Sequence, residues 1–98
     1  MAFDLHKFLQ NLGLSVKEAR VYEAALELGP ATVQQISNKI KILRTSAYIY
    51  IKALIKKGLM SSFRRGKKTY FSAESPENLE RLADARKTQL LTAISEFK

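Results

Sequence analysis

The sequence predicts a mainly α-helical domain carrying a small β-hairpin. Apolar residues recur every three or four positions through the first four segments, then every second position after Gly58. Helix-start and helix-stop residues fall between these periodic stretches rather than inside them.

Phe3, Leu5, Phe8, Leu9 and Leu12 predict a short first helix. It ends near residues 11–13, where Gly13 can adopt the left-handed conformation of a helix stop. Ser15 and Glu18 then stand at capping-box spacing: the hydroxyl accepts from the Glu18 backbone N–H, and the carboxylate reaches back to Ser15. Val16, Ala19, Tyr22 and Leu26 make the second helix amphipathic, and Gly29-Pro30 ends it. Thr32 and Gln35 repeat the capping box and start a short third helix to about Ile40, with Val33, Ile36 and Ile40 inward. After a brief turn a fourth helix runs from about Arg44 to Lys57 and stops at Gly58.

Residues 59–64 and 67–73 read as strands, joined at Arg65-Gly66. Phe63, Thr69, Tyr70 and Phe71 favour extended backbone, and Gly66 supplies the positive φ of a tight turn. Ser75-Pro76-Glu77 is a helix start, with cap, proline at the first helical position and an acid in the first turn. A last helix then runs towards Phe97. The chain thus divides into residues 1–74 and a C-terminal helix, 75–98.

The net charge is +8, and it is unevenly placed. No acidic residue lies between Glu27 and Glu74, whereas that interval holds ten basic ones: Lys39, Lys41, Arg44, Lys52, Lys56, Lys57, Arg64, Arg65, Lys67 and Lys68. A nearly neutral body with one strongly cationic segment calls for a polyanionic partner.

Other classes fail on inventory. Cysteine is absent, which removes disulfides and thiolate metal or redox sites. His6 is the single histidine, and no carboxylate pair, metal-ligand cluster or phosphate-cradling glycine loop is present, so neither an enzyme nor a cofactor is expected. No apolar run is long enough to span a membrane, and the first residues lack the pattern of a secretion signal; a cytoplasmic protein fits.

Helix, helix, short helix, turn, helix and β-hairpin is the order of a winged helix-turn-helix. Leu12-Gly13-Leu14-Ser15, Glu18-Ala19-Arg20-Val21-Tyr22 and Leu28-Gly29-Pro30-Ala31-Thr32 carry a more specific likeness. Arg44-Thr45-Ser46-Ala47-Tyr48, Leu54-Ile55-Lys56-Lys57-Gly58-Leu59 and Arg65-Gly66-Lys67-Lys68-Thr69-Tyr70-Phe71 follow in step. Over roughly residues 8 to 80 the chain resembles the N-terminal DNA-binding domain of the TrmB-like transcriptional regulators. The resemblance implies a winged helix, double-stranded DNA as partner, and transcriptional regulation. It also implies an effector domain in many relatives; this chain stops at Lys98, as a stand-alone form or as part of a longer protein, and no effector site is visible. Relatives often carry glycine in the turn between the two helix-turn-helix helices, where this chain has Lys41. A left-handed Lys41 costs about 1 kcal/mol relative to glycine.

On the wheel of residues 44–57, Ala47, Ile51 and Leu54 form the core stripe, with Thr45, Ile49, Lys52 and Lys56 opposite. With this recognition helix in the major groove, Arg44, Thr45, Ser46 and Ile49 face DNA. Arg44 suits guanine or a phosphate, and Thr45 and Ser46 suit either. Ile49 has two readings, a thymine methyl contact or a further protein contact. Tyr48 has two as well: a phosphate contact, or partial core with its hydroxyl at the surface, as for Tyr50. The wing, about residues 63–69, brings Arg64, Arg65, Lys67 and Lys68 to the backbone or minor groove; the rival reading is an edge hairpin guarded by its cations. Thr32 and Gln34 are candidate phosphate ligands at a helix N-terminus. Lys56 and Lys57 read as solvated charges near a helix C-terminus.

The C-terminal helix carries Leu79, Ala83, Arg86, Leu90, Ala93 and Phe97 as a heptad seam, widened by Leu82, Leu91 and Ile94. It packs either on its own domain or on a second copy; the resemblance favours a homodimer with two reading helices about one DNA turn apart, or a multiple of that. Two other functions are open: an architectural DNA-coating protein, which shares the charge pattern, and a winged-helix adaptor for other proteins, against which the unbroken positive charge from Lys39 to Lys68 argues.

Overall fold

A computed structural model of the chain describes residues 4–75. Phe3 and the expected dimerisation residues Leu79, Leu82, Ala83, Arg86, Leu90, Ala93, Ile94 and Phe97 lie outside the described residues. The elements are α1 (Leu5–Asn11), α2 (Val16–Leu28), α3 (Val33–Ile40), α4 (Arg44–Lys56), β1 (Met60–Arg65) and β2 (Lys68–Ala73). This is the expected winged-helix order.

Both capping boxes form. Ser15 Oγ accepts from the Glu18 N–H at 3.1 Å, and Glu18 accepts from the Ser15 N–H at 2.9 Å. Thr32 Oγ1 accepts from the Gln35 N–H at 3.2 Å, and Gln35 accepts from the Thr32 N–H at 2.9 Å. Three helices end alike, with a left-handed residue followed by an N–H that reaches five residues back to a last-turn carbonyl. Leu14 donates to Leu9 after Gly13, Ile42 to Ser37 after Lys41, and Leu59 to Leu54 after Gly58. Glycine fills this position in α1 and α4. In α3 it is Lys41, at φ 56° and ψ 50°, the one positive-φ non-glycine residue among the described residues.

The core forms around α2, which packs against α1, α3, α4 and β2. Its buried apolar set is Ala19, Val21, Tyr22, Ala24 and Ala25, and Glu18 is buried as well. Val16 and Leu26, expected inside, are exposed. A helix enclosed on several sides buries a broad arc that a single amphipathic stripe does not describe. Leu9, Ile36, Ile51, Leu54 and Leu59 complete the centre. On α4, Ala47, Ile51 and Leu54 are fully buried, as the wheel predicts.

β1 and β2 pair antiparallel in the register Met60–Ala73 to Arg65–Lys68. The turn is Gly66-Lys67, one residue later than expected, and positive φ occurs at Gly66 but not at Lys67, the pattern of a type II′ turn. Phe63 stacks on Tyr70 across the strands, with ring centroids 5.7 Å apart. On its other edge β2 pairs with Ala31, which exchanges both backbone bonds with Phe71 (2.9 and 2.7 Å). The Tyr22 hydroxyl donates to the Glu74 carbonyl at 3.0 Å and fixes the end of β2 to α2. Among the described residues no helix is long and apolar enough to cross a membrane.

Candidate nucleic-acid interface

An open concavity of about 1110 Å³ lies between α4, the start of α3 and the wing. α4 gives it Arg44, Thr45, Tyr48, Ile49 and Lys52; α3 and its cap give Thr32 and Gln34; the hairpin gives Lys67 and Lys68. Nine of the twelve expected DNA-binding residues therefore share one surface. Ser46, Arg64 and Arg65 do not line it. Ser46 is half-buried on the flank of α4, whereas Arg64 and Arg65 are exposed at the end of β1 beside the wing tip.

Cross-strand pairing sets Ser62 opposite Phe71 and Arg64 opposite Thr69 on one face of the hairpin, with Phe63 and Tyr70 on the other. Ser62, Thr69 and Phe71 also line the concavity, as do Val33 and Ile55; Arg64, on the same hairpin face, does not. These five lining residues were not anticipated.

Tyr48 is held from two sides. Its ring meets Phe71 edge-on, with centroids 6.4 Å apart at 78°, and the Lys52 ammonium lies 5.0 Å from its centroid. It remains half-exposed, in keeping with partial packing against the wing. Ile49 is 64% exposed. Gln34 donates to the Asn38 side-chain oxygen at 2.9 Å, and the Thr32 hydroxyl is engaged in its capping box. Leu43, the N-cap of α4, makes no side-chain cap bond. The first backbone N–H groups of α4 thus lack the acceptor a polar cap would supply.

Two of the ten central cations are in ion pairs. Lys39 pairs with Glu27 at 2.9 Å and Lys57 with Glu18 at 2.8 Å. Lys57 is thus a tertiary clasp rather than a solvated end charge. Burial alone would raise the pKa of the Glu18 carboxyl, but the Lys57 and Ser15 bonds outweigh it and hold the group below its ordinary value. The other eight are in no ion pair among the described residues, and no acidic residue lines the concavity. His6 lies away from this surface, on α1, with Nδ1 3.0 Å from Glu23 Oε2.

Residues 9–77 match the family model described as sugar-specific transcriptional regulator TrmB. YbzH of Bacillus subtilis (strain 168), described as an uncharacterized HTH-type transcriptional regulator, is 36% identical over 58 residues, 59% of this chain and 57% of YbzH. TrmBL2, described as an archaeal chromatin protein with a novel mode of DNA binding, superposes with a TM-score of 0.83 at 21% identity, over 94% of this chain and 37% of its own. A possible transcriptional regulator from Methanosarcina mazei Go1 superposes at 0.76 with 11% identity, over 96% of this chain and 85% of its own. A MarR family protein from Bacillus stearothermophilus gives 0.65 at 18% identity, over 94% and 67%. The chain thus spans little more than half of YbzH and about a third of TrmBL2.

Proposed function

The chain belongs to the TrmB family of sugar-specific transcriptional regulators, and from that premise we propose that it regulates transcription in the cytoplasm by binding preferred sites on double-stranded DNA. One observation carries the reading: a concave surface bearing Arg44, Lys52, Lys67 and Lys68, with no acidic residue among the described residues that line it, between a helix and a hairpin tip. α4 enters the major groove with its N-terminal half, and Arg44 meets a guanine edge or a phosphate. Lys67 and Lys68 hold the adjacent backbone, with Arg64 and Arg65 extending the contact beyond the tip. Residues 1–74 are the binding unit, and the C-terminal helix pairs two copies so that two reading helices meet two half-sites.

The test is binding measured against salt. Log K falls with log salt by about 0.9 for each phosphate contact. Lys67→Ala and Lys68→Ala together should flatten that slope by about two units, and Arg44→Ala should cost about 1–3 kcal/mol at the selected site. Unchanged affinity and slope in the triple variant would reject this docking. The likeness to a chromatin protein supports a second reading, weakly selective coating of DNA. A preference of roughly a thousandfold or more over scrambled duplex supports the regulator; equal affinity supports coating.

A further inference from the structure

We infer that Ile49 is a specificity-determining residue that reads the 5-methyl group of thymine at the centre of each half-site. The inference rests on the docking proposed above and adds to it the base that the middle of α4 selects.

α4, Arg-Thr-Ser-Ala-Tyr-Ile-Tyr-Ile-Lys-Ala-Leu-Ile-Lys, contains no asparagine, glutamine, aspartate or glutamate. It therefore has no side chain for the bidentate contact to adenine N6 and N7, and no carboxylate to accept from cytosine N4. On the face that lines the concavity its cations stand apart, Arg44 beside Thr45 at one end and Lys52 at the other. Between them on the exposed face stands Ile49. Tyr48 beside it is already held against Phe71 and under the Lys52 ammonium. The most exposed side chain in the middle of this face is thus aliphatic, and the aliphatic feature that the major groove offers is the thymine methyl.

A single exposed aliphatic side chain is ordinary on a protein surface. Leu43, at 74%, is more exposed than Ile49 and does not line the concavity. Place distinguishes Ile49. It lies among cations on a concave face with no acidic residue, halfway along the helix proposed to enter the groove. A β-branched residue there gains nothing as a helix former.

The test uses a duplex recovered by selection from a random pool, with each thymine replaced in turn by deoxyuridine, which lacks only that methyl. Full-length protein is compared with Ile49→Ala and Ile49→Val. Burying one methyl is worth about a factor of four. The wild-type chain should lose about fourfold at the read positions and nothing elsewhere. Ile49→Ala should bind the thymine duplex more weakly by at least that factor and respond equally to both bases there, while Ile49→Val retains discrimination. Because Ile49 is exposed and alanine is the better helix former, Ile49→Ala should melt no lower than wild type. Wild-type indifference to deoxyuridine at every position, with site preference intact, overturns the inference and leaves the DNA-binding reading standing. So does an equal loss in wild type and Ile49→Ala. If selection recovers no preferred site, both readings fall.

Discussion

Among single residues, Lys41 carries the clearest local cost. α1, α3 and α4 each close with a backbone bond that reaches five residues back past a left-handed residue, and only α3 does so with a side chain on that residue. Lys41→Gly relieves about 1–2 kcal/mol of steric cost but gives the unfolded chain more freedom. The net expectation is a gain of about 1 kcal/mol, seen as a higher urea midpoint with unchanged slope. A lower midpoint would mean that the Lys41 side chain contributes more than its backbone costs. The sequence made this position legible, because the spacing of the flanking helices left Lys41 where relatives often carry glycine.

At the scale of elements, the helices were readable because their starts and stops are written within a few residues of each other. Ser15 with Glu18 and Thr32 with Gln35 are such local statements, and both boxes form as expected. What escaped was non-local. Nothing in the spacing of Lys57 and Glu18 announces an ion pair between residues 39 apart. The Ala31–Phe71 bridge was equally invisible, and the hairpin turn fell one residue late because Gly66 can occupy either turn position. The α2–α4 clasp has a pH signature. Its carboxyl is held below 4.5 in the folded chain, so its stabilisation is present above about pH 4.5 and is lost as pH falls through the folded value. Glu18→Gln should cost about 1–2 kcal/mol near neutrality and flatten the loss of stability on acidification. Denaturant titrations of both proteins from pH 7 to pH 3 measure it; parallel curves would show that the clasp contributes nothing.

At the scale of the whole molecule, charge placement was the most informative property of the sequence. The acid-free interval supplies every described residue lining one concave surface, and of its cations only Lys39 and Lys57 are drawn into ion pairs among the described residues. Arg64 and Arg65 were harder to place: Arg64 shares a hairpin face with Ser62, Thr69 and Phe71 and still lies outside the concavity, so alternation along the strand does not decide which residues line it. The proposed division into a binding unit and a pairing helix predicts that a chain ending at Ser75 still melts cooperatively. It should sediment as a monomer and bind the selected site about a hundredfold more weakly, for want of a tethered second copy. A dimeric truncated chain would move the pairing surface into the first 75 residues. The Ala31–Phe71 bridge also bears on the order of assembly. It joins positions forty apart in sequence, and loop-closure entropy makes such long-range contacts slower to form than helical turns. The wing should then be among the last parts to dock, so the cationic concavity exists only once tertiary structure is complete. A duplex that binds there would favour the finished fold by mass action and shelter the chain from unfolding while the complex lasts.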